Sequence, residues 1–136
     1  MVKKLLFVDD RSKRIHYALK MFCSPYYETT IAPNFFEAMR ALSREEWDEV
    51  SLDHDLDGCD FQDPDSPTCG MEIIRYIEKT GWPEHKKKPV FLIHSSNLFA
   101  VHLMTVRLRA LGFFSYYEPI VYPDEHMKYD EKGVPL

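Results

Sequence analysis

Short apolar runs alternate with amphipathic stretches along this chain, and the alternation restricts the fold more than any other feature. Leu5–Val8 is a continuous apolar run, which is typical of a strand buried on both faces. Further strands are predicted at Glu28–Ala32, Val50–Leu52, Val90–Ile93 and Phe113–Tyr117. Because helical patterns separate these runs, we expect an α/β fold: a parallel sheet with right-handed crossovers and helices on both faces.

Four helices are predicted from apolar residues spaced three and four positions apart. Asn34 can cap the second helix, Gly70 opens the third and Gly112 ends the fourth. The apolar stripes are Ile15, Ala18, Leu19 and Phe22; Phe35, Ala38, Met39 and Leu42; Met71, Ile74 and Ile77; and Leu98, Val101, Met104, Leu108 and Leu111.

Five strands of this kind are commonly ordered 2-1-3-4-5 in the sheet. The residues after the fifth strand show no helical stripe, so we expect the last helix to be missing. The whole chain, residues 1–136, is then one domain that ends in an irregular tail over about 119–136. The missing helix would leave an apolar strip exposed, and pairing of subunits through that strip stays open.

Charge and cysteine content exclude several classes of protein. The formal net charge of −5 argues against generic binding to DNA backbones. No apolar run approaches the roughly 20 residues of a membrane helix, and the amino-terminal residues do not resemble a signal peptide. Three cysteines are too few for a disulfide framework, so we expect a reduced, cytoplasmic protein without membrane partners.

Ionisable and polar residues follow three of the predicted strands. Asp9 and Asp10 end the first strand, the segment LDHDLDG (52–58) ends the third and HSSN (94–97) ends the fourth. In the expected order these strands are neighbours about 4.8 Å apart. Ligands of open α/β sheets bind at the carboxyl ends of strands, so this rim is the predicted functional site.

Four motifs together, FVDDR, SLDHDL, Thr68-Cys69-Gly70 and IHSSN, carry a family resemblance. From about Leu5 to Gly112 the chain resembles the cyclic-phosphate-processing receiver-like family, a divergent relative of response-regulator receiver domains. The resemblance implies a receiver-like (flavodoxin-like) fold. It also implies a phosphoesterase, a hydrolase that opens the cyclic phosphate of an RNA 2′,3′-cyclic end, a cyclic nucleotide or a related compound. An RNA end as substrate would indicate a role in RNA repair.

Two histidines on neighbouring strand ends suit this chemistry. Opening a cyclic phosphodiester with water needs a base for the water, an acid for the leaving oxygen and stabilisation of charge on the phosphate. His54 and His94 are the predicted acid–base pair, because imidazole titrates near neutral pH. Asp53 or Asp55 could orient an imidazole. The sequence leaves open which histidine is the base.

The predicted substrate-binding residues are Arg11 and the polar segment after the fourth strand. Arg11 is expected to hold the phosphate. Ser95, Ser96 and Asn97 could donate hydrogen bonds to phosphate oxygens at the start of a helix, although helix capping explains the same residue types nearly as well.

In receiver domains the acidic pair and the aspartate after the third strand hold Mg²⁺. The resemblance therefore implies Mg²⁺ at Asp9, Asp10 and Asp53. Two positions depart from receiver domains, because His94 stands where a hydroxyl residue is expected and Glu118 where a lysine is expected. A carboxylate cannot neutralise a phosphoryl group, which counts against phosphorylation of Asp53.

Two alternatives to a hydrolase stay open at this point. One is a non-catalytic receiver-like module that binds a nucleotide or a partner protein. The other is an atypical phosphoacceptor receiver that uses Asp53.

Overall fold

Five strands and four helices alternate in the computed structural model, which describes residues 2–56, 58, 61–120 and 132. The elements are β1 Lys3–Val8, α1 Ser12–Met21, β2 Tyr27–Ala32, α2 Phe35–Arg44, β3 Glu49–Leu52, α3 Gly70–Thr80, β4 Val90–Ile93, α4 Leu98–Ala110 and β5 Ser115–Tyr117. The predicted tail falls largely on residues 121–136, and of these only residue 132 is described.

The strands form one parallel sheet in the order β2-β1-β3-β4-β5, which confirms the predicted receiver-like α/β topology. Val8 pairs with Leu52 and Leu52 with Ile93, so the carboxyl ends of β1, β3 and β4 lie side by side. No fifth helix follows β5 within the described residues, in agreement with the expectation from the sequence.

The fifth strand begins later than predicted. It starts at Ser115, because Phe113 turns into the core instead of joining the ladder. The Phe113 ring meets the rings of Trp82 and Phe91 edge-on, each at 5.3 Å between centroids. An aromatic residue before a strand is therefore used here to close the end of the core.

The sheet separates two unequal layers. Side chains of β1, β3 and β4 that include Leu6, Val50 and Phe91 pack with helices α2, α3 and α4 in the main core. The alternate residues, such as Leu5 and Phe7, are also buried but face the side that carries α1. Among the described residues, no helix is long and apolar enough to cross a membrane.

The amino end of α3 lies unusually close to the end of β3. A Cβ atom at Gly70 would stand 2.3 Å from the backbone oxygen of Asp53, and the Gly70 N–H donates a 2.8 Å hydrogen bond to the oxygen of His54. Glycine is required at this position because α3 begins directly against the rim.

We expect Gly70→Ala to lower the free energy of unfolding by at least about 2 kcal/mol, because backbone must shift to admit the methyl group. Gly81→Ala is the matched control at the other end of α3. Gly81 has φ +77° and ψ 171° with nothing within 4 Å of an added Cβ, so only its backbone conformation opposes alanine there. That conformation should cost alanine about 1–3 kcal/mol. Urea unfolding measures both variants, and a Gly70→Ala protein as stable as the wild type would contradict the close approach.

Candidate functional site at the carboxyl rim of the sheet

Three residues directly after neighbouring strands bring their side chains together at the rim. The N–H groups of Asp9, Asp53 and His94 donate hydrogen bonds of 3.0–3.2 Å to the last residues of adjacent strands, which continues the sheet by one step. All three residues are buried, with relative exposures of 0%, 1% and 2%. Because each residue directly follows one of three neighbouring strands, two carboxyl groups and an imidazole meet in one buried cluster.

His94 is fixed at both of its ring nitrogens. Nε2 lies 2.8 Å from Oδ2 of Asp9, and Nδ1 lies 2.8 Å from the hydroxyl oxygen of Ser51. The ring stacks on Phe7 with 4.7 Å between centroids and 3° between planes. Since Phe7 and Ser51 occupy the α1 side of the sheet, His94 belongs to that side.

Arg14, in the first turns of α1, joins the two buried carboxyl groups. Its Nε lies 2.7 Å from Oδ2 of Asp9, and its Nη2 lies 2.9 Å from Oδ2 of Asp53. Arg14 is not among the residues predicted from the sequence, where Arg11 is the expected phosphate-binding arginine. The available signal was the position of Arg14, because a residue near the start of a helix that follows a rim aspartate can reach back over that rim.

The pKa values of the two carboxyl groups are shifted in opposite directions. Burial alone would raise the pKa of Asp9, but His94, Arg14 and the N–H of Arg11 hold it below its usual value. Burial and the charge of Asp9 raise the pKa of Asp53 to about 6. Of the two carboxyl groups, Asp9 therefore holds its negative charge more firmly, and Asp53 binds a proton more readily.

His54 forms a second pair, with the residue that follows it. Its Nδ1 lies 2.8 Å from Oδ1 of Asp55. The Asp55 carboxylate also accepts hydrogen bonds from the N–H groups of Phe61, at 3.0 Å, and Gln62, at 2.9 Å. Asp55 therefore orients the imidazole and fixes the loop after β3 at the same time.

The other ring nitrogen of His54, Nε2, is buried and makes no hydrogen bond of normal geometry among the described residues. Although burial raises the pKa of the Cys69 thiol, the thiol lies close enough to the ring for its own pKa to be lowered by the imidazole. Burial lowers the pKa of this imidazole, but the Cys69 thiol and the Asp55 carboxylate beside it raise the pKa more, so it stands above its usual value. A histidine held at one nitrogen by a carboxylate and open at the other is equipped for proton transfer.

The two histidines lie on opposite faces of the sheet, at the carboxyl ends of its inner strands. His94 contacts Phe7 and Ser51 on the α1 side, whereas His54 neighbours Cys69, which belongs to the core formed with α2, α3 and α4. Among the described residues they have no common hydrogen-bond partner. The structure therefore brings His94, Asp9 and Asp53 together and keeps the His54–Asp55 pair separate.

The predicted phosphate-binding residues have largely local contacts. The N–H of Arg11 donates a 2.8 Å hydrogen bond to Oδ1 of Asp9. The side-chain oxygen of Asn97 accepts a hydrogen bond from Ala100 N–H and so caps α4, while the Ser95 hydroxyl accepts one from Asn97 N–H in the turn before the helix. Ser96 is the exposed member of that segment. Its hydroxyl is the one best placed to meet a ligand.

The two adjacent acidic residues after β1, Asp9 and Asp10, make different contacts. Asp9 is committed to the buried cluster, while the half-buried Asp10 accepts a 2.7 Å hydrogen bond from the N–H of Gly58 through Oδ2. Burial raises the pKa of the Asp10 carboxyl. Glu118, at the position where receivers carry lysine, donates its N–H to the oxygen of Ile93 and so continues β5 beside the rim.

The cluster has the ligand types for a divalent cation, because oxygen or nitrogen atoms of Asp9, Asp53 and His94 lie within 4.8 Å of one another. The guanidinium group of Arg14 already bridges Asp9 and Asp53. Both Asp9 oxygens accept hydrogen bonds, which leaves Asp53 Oδ1 open among the described atoms. Oδ1 of Asp10, another predicted ligand, is likewise buried without a hydrogen-bond partner among the described atoms. Asp10 and Asp53 therefore each keep one carboxyl oxygen that could hold a cation, and the predicted Mg²⁺ stays a prediction.

A groove of about 790 Å³ lies elsewhere, between α2, α3 and the Trp82–Lys86 loop. It contains none of the predicted site residues and lies toward the carboxyl ends of both helices. The chemistry of the rim thus does not depend on this groove.

We expect Arg14→Gln to lower the free energy of unfolding by about 3–5 kcal/mol, since it leaves two buried carboxyl groups without their cation. Arg107→Gln is the control, because Arg107 pairs with Glu78 at the surface and should contribute less than about 1 kcal/mol. Adding Asp53→Asn to the Arg14→Gln variant should restore part of the lost free energy of unfolding, because one of the two buried carboxyl groups is then removed. Equal costs for the two arginines in urea unfolding would contradict the buried-pair assignment.

Comparison with solved structures finds receiver domains. A CheY-like receiver domain from Methanospirillum hungatei JF-1 has a TM-score of 0.60 and 19% identity, over 90% of this chain and 86% of that one. The Francisella response regulator 1452 receiver domain has a TM-score of 0.61 and 17% identity, over 88% and 86%. The response regulator TrrA from Thermotoga maritima, solved with Mg²⁺-BeF, has a TM-score of 0.57 and 20% identity, over 91% of each chain.

At these identities the structural likeness shows the fold alone. A comparison with curated protein sequences finds no match. The model of one family, described as the cyclic-phosphate processing receiver domain, matches residues 4–110 and includes every rim residue described above except Glu118. The chain therefore belongs to the cyclic-phosphate processing receiver domain family.

Proposed function

We propose that this protein is a phosphoesterase that hydrolyses a cyclic phosphate at the rim, with His54 as its proton-transfer group. The observation that carries the proposal is the state of the His54 ring: Asp55 holds Nδ1, and the buried Nε2 has no hydrogen-bond partner among the described residues. Membership of a cyclic-phosphate processing family supports the substrate class.

The Asp9–Asp53–His94 cluster and the His54–Asp55 pair lie on opposite faces of the sheet, and this arrangement suits a displacement reaction at phosphorus. Water attacks the phosphorus atom from one side while the bond to a ribose oxygen breaks on the other. Nε2 of His54 takes the proton of the attacking water. On the α1 side, Asp53 presents Oδ1, the open atom of the cluster around His94, as the group that gives a proton to the leaving ribose oxygen.

His94 has a different part in this proposal from the one that the sequence predicts. Its two nitrogens are engaged with Asp9 and Ser51, so it has no open nitrogen for the leaving oxygen. It acts by fixing Asp9, which in turn fixes Arg14. Arg14, Arg11 and the hydroxyl of Ser96 are the groups that would offset negative charge on the phosphate.

Burial of His54 sets a condition on this mechanism. Its side chain has a relative exposure of 0%, so a substrate reaches Nε2 only after neighbouring groups have moved. The N–H groups of Phe61 and Gln62 donate hydrogen bonds to Asp55, the partner of His54, so a movement of the ring would also act on these two bonds.

A phosphoacceptor receiver is the second candidate. The receiver fold and the open Oδ1 of Asp53 at the end of β3 favour it. Glu118 opposes it, because a carboxylate stands where receivers carry the lysine that neutralises the phosphoryl group. Mass spectrometry after incubation with acetyl phosphate and Mg²⁺ separates the candidates, since only a phosphoacceptor gains a phosphoryl group on Asp53.

We expect the purified protein to add one water to at least one compound in a panel of cyclic phosphates. The panel contains a short RNA with a 2′,3′-cyclic end, several cyclic nucleotides and ADP-ribose 1″,2″-cyclic phosphate, each with Mg²⁺ and with chelator. His54→Ala should lower kcat/KM by at least about 100-fold because the proton acceptor is lost. Asp55→Asn should lower kcat/KM less, and mass spectrometry identifies each product.

His102→Ala is the matched control, since His102 is exposed on α4 and has no part in the rim. Full activity of His54→Ala would contradict the assigned base. Absence of turnover on every compound, with one compound retained unchanged, would instead support a non-catalytic nucleotide-binding module.

A further inference from the structure

Two exposed phenylalanines lie on the segments that follow two neighbouring strands at the rim. Phe61, in the loop after β3, and Phe99, the second residue of α4, have relative exposures of 70% and 69%. Phe61 follows β3 and Phe99 follows β4 along the chain. These two strands are adjacent in the sheet, since Leu52 of β3 pairs with Ile93 of β4. A single exposed apolar side chain is common on protein surfaces. Two exposed phenyl rings on segments that both follow strands of the candidate site are a stronger indication of a ligand.

Phe61 is also held in a strained conformation. Its φ of +56° lies in the left-handed region, where it is the only residue other than glycine among those described. This conformation costs about 1–2 kcal/mol for an L-residue. Strain of this kind persists where the surroundings fix it, and it is concentrated at functional sites.

The group that fixes Phe61 is the carboxylate that orients the imidazole. Oδ2 of Asp55 accepts the N–H of Phe61 at 3.0 Å, while Oδ1 holds Nδ1 of His54 at 2.8 Å. The position of the exposed ring is therefore coupled to the group that transfers protons in the proposed reaction. A side chain needed only for stability would have been turned toward the core, where its burial would contribute about 1.5–3 kcal/mol.

The rim charge restricts the ligand that these rings can take. Four aspartates, Asp9, Asp10, Asp53 and Asp55, lie at the rim, and the formal net charge of the chain is −5, which disfavours binding of a long polyanion. A nucleobase is flat, uncharged and stacks on phenyl rings. It also lies on the same ribose as a nucleoside cyclic phosphate, within reach of a ring next to the phosphate.

We propose that Phe61, with Phe99 at the start of α4, binds the base of the nucleotide that bears the cyclic phosphate. This inference rests on the proposed function and defines its substrate class as a nucleoside cyclic phosphate. A cyclic phosphate on a sugar without a base, or one remote from its base as in ADP-ribose 1″,2″-cyclic phosphate, lacks this contact. The terminal nucleotide of an RNA and a free nucleotide offer the same chemistry.

The test compares ligands with and without a base on matched variants. The ligands are cytidine and adenosine 2′,3′-cyclic phosphates, their monophosphate products, and the methyl riboside 2′,3′-cyclic phosphate and its product. The variants are Phe61→Ala, Phe99→Ala and the control Phe114→Ala. Phe114 is equally exposed, at 70%, but precedes β5 at the opposite end of the sheet. Alanine at position 61 retains the N–H that bonds Asp55.

Calorimetry of the monophosphates gives Kd, and turnover of the cyclic compounds gives kcat/KM. We expect Phe61→Ala to weaken binding of the nucleotides by about 5-fold to 100-fold, the range for loss of one base–aromatic stack. Phe99→Ala should act in the same direction. The methyl riboside ligands should bind weakly to all proteins and should not distinguish the variants, and Phe114→Ala should match the wild type.

Binding and turnover separate this inference from the proposed function. Base-dependent binding that Phe61→Ala weakens, without turnover, would support the stacking contact and reject the hydrolase. Turnover with equal kcat/KM for nucleotide and methyl riboside would reject the stacking contact alone. A dinucleotide that ends in a cyclic phosphate distinguishes the two sources: better turnover than the mononucleotide points to RNA ends, and worse turnover to free nucleotides. Equal Kd values for Phe61→Ala and wild type overturn the inference.

Discussion

The ion pair of Arg14 with Asp9 and Asp53 is the interaction on which the rim depends. Two carboxyl groups that are at most 1% exposed would repel each other without a cation between them. The same pair attaches α1 to the ends of β1 and β3 on the side of the sheet that carries no other described helix. Through Asp9, it also fixes His94. Charge neutralisation, helix docking and the orientation of an imidazole are thus parts of one network.

A second hydrogen-bond network lies on the opposite face of the sheet, at the same carboxyl end, and its centre is Asp55. It holds His54 at Nδ1 and holds the loop after β3 through Phe61 and Gln62. The unpartnered atom of this network, Nε2 of His54, and the unpartnered oxygen of Asp53 belong to residues on different sides of the sheet. In the reaction that we propose, a phosphate bound at the carboxyl end of the strands meets one of these atoms from each side. This arrangement is the physical basis for proposing displacement at phosphorus.

The fold follows from the sequence because each buried strand ends at a charged or polar residue and each helix has an apolar stripe. The sheet order and the rim were predictable from that pattern. The partners within the rim were not, because the alternation of side chains decides them: His94 and Ser51 share a face, and His54 lies on the other. Arg14 escaped prediction since a helix residue reaches the rim only through docking of α1. The start of β5 was missed because Phe113 packs as a core residue.

The most direct test of the proposed hydrolysis is to measure whether an oxygen atom of water is incorporated into the product. The protein is incubated with a nucleoside 2′,3′-cyclic phosphate in water that contains heavy oxygen, and the product is read by mass spectrometry and phosphorus NMR. The account predicts a single monophosphate isomer with one heavy oxygen on phosphorus, formed by the wild type and not by His54→Ala. An unchanged cyclic phosphate in the presence of folded protein would contradict it. A label that appears equally with His54→Ala would also contradict it.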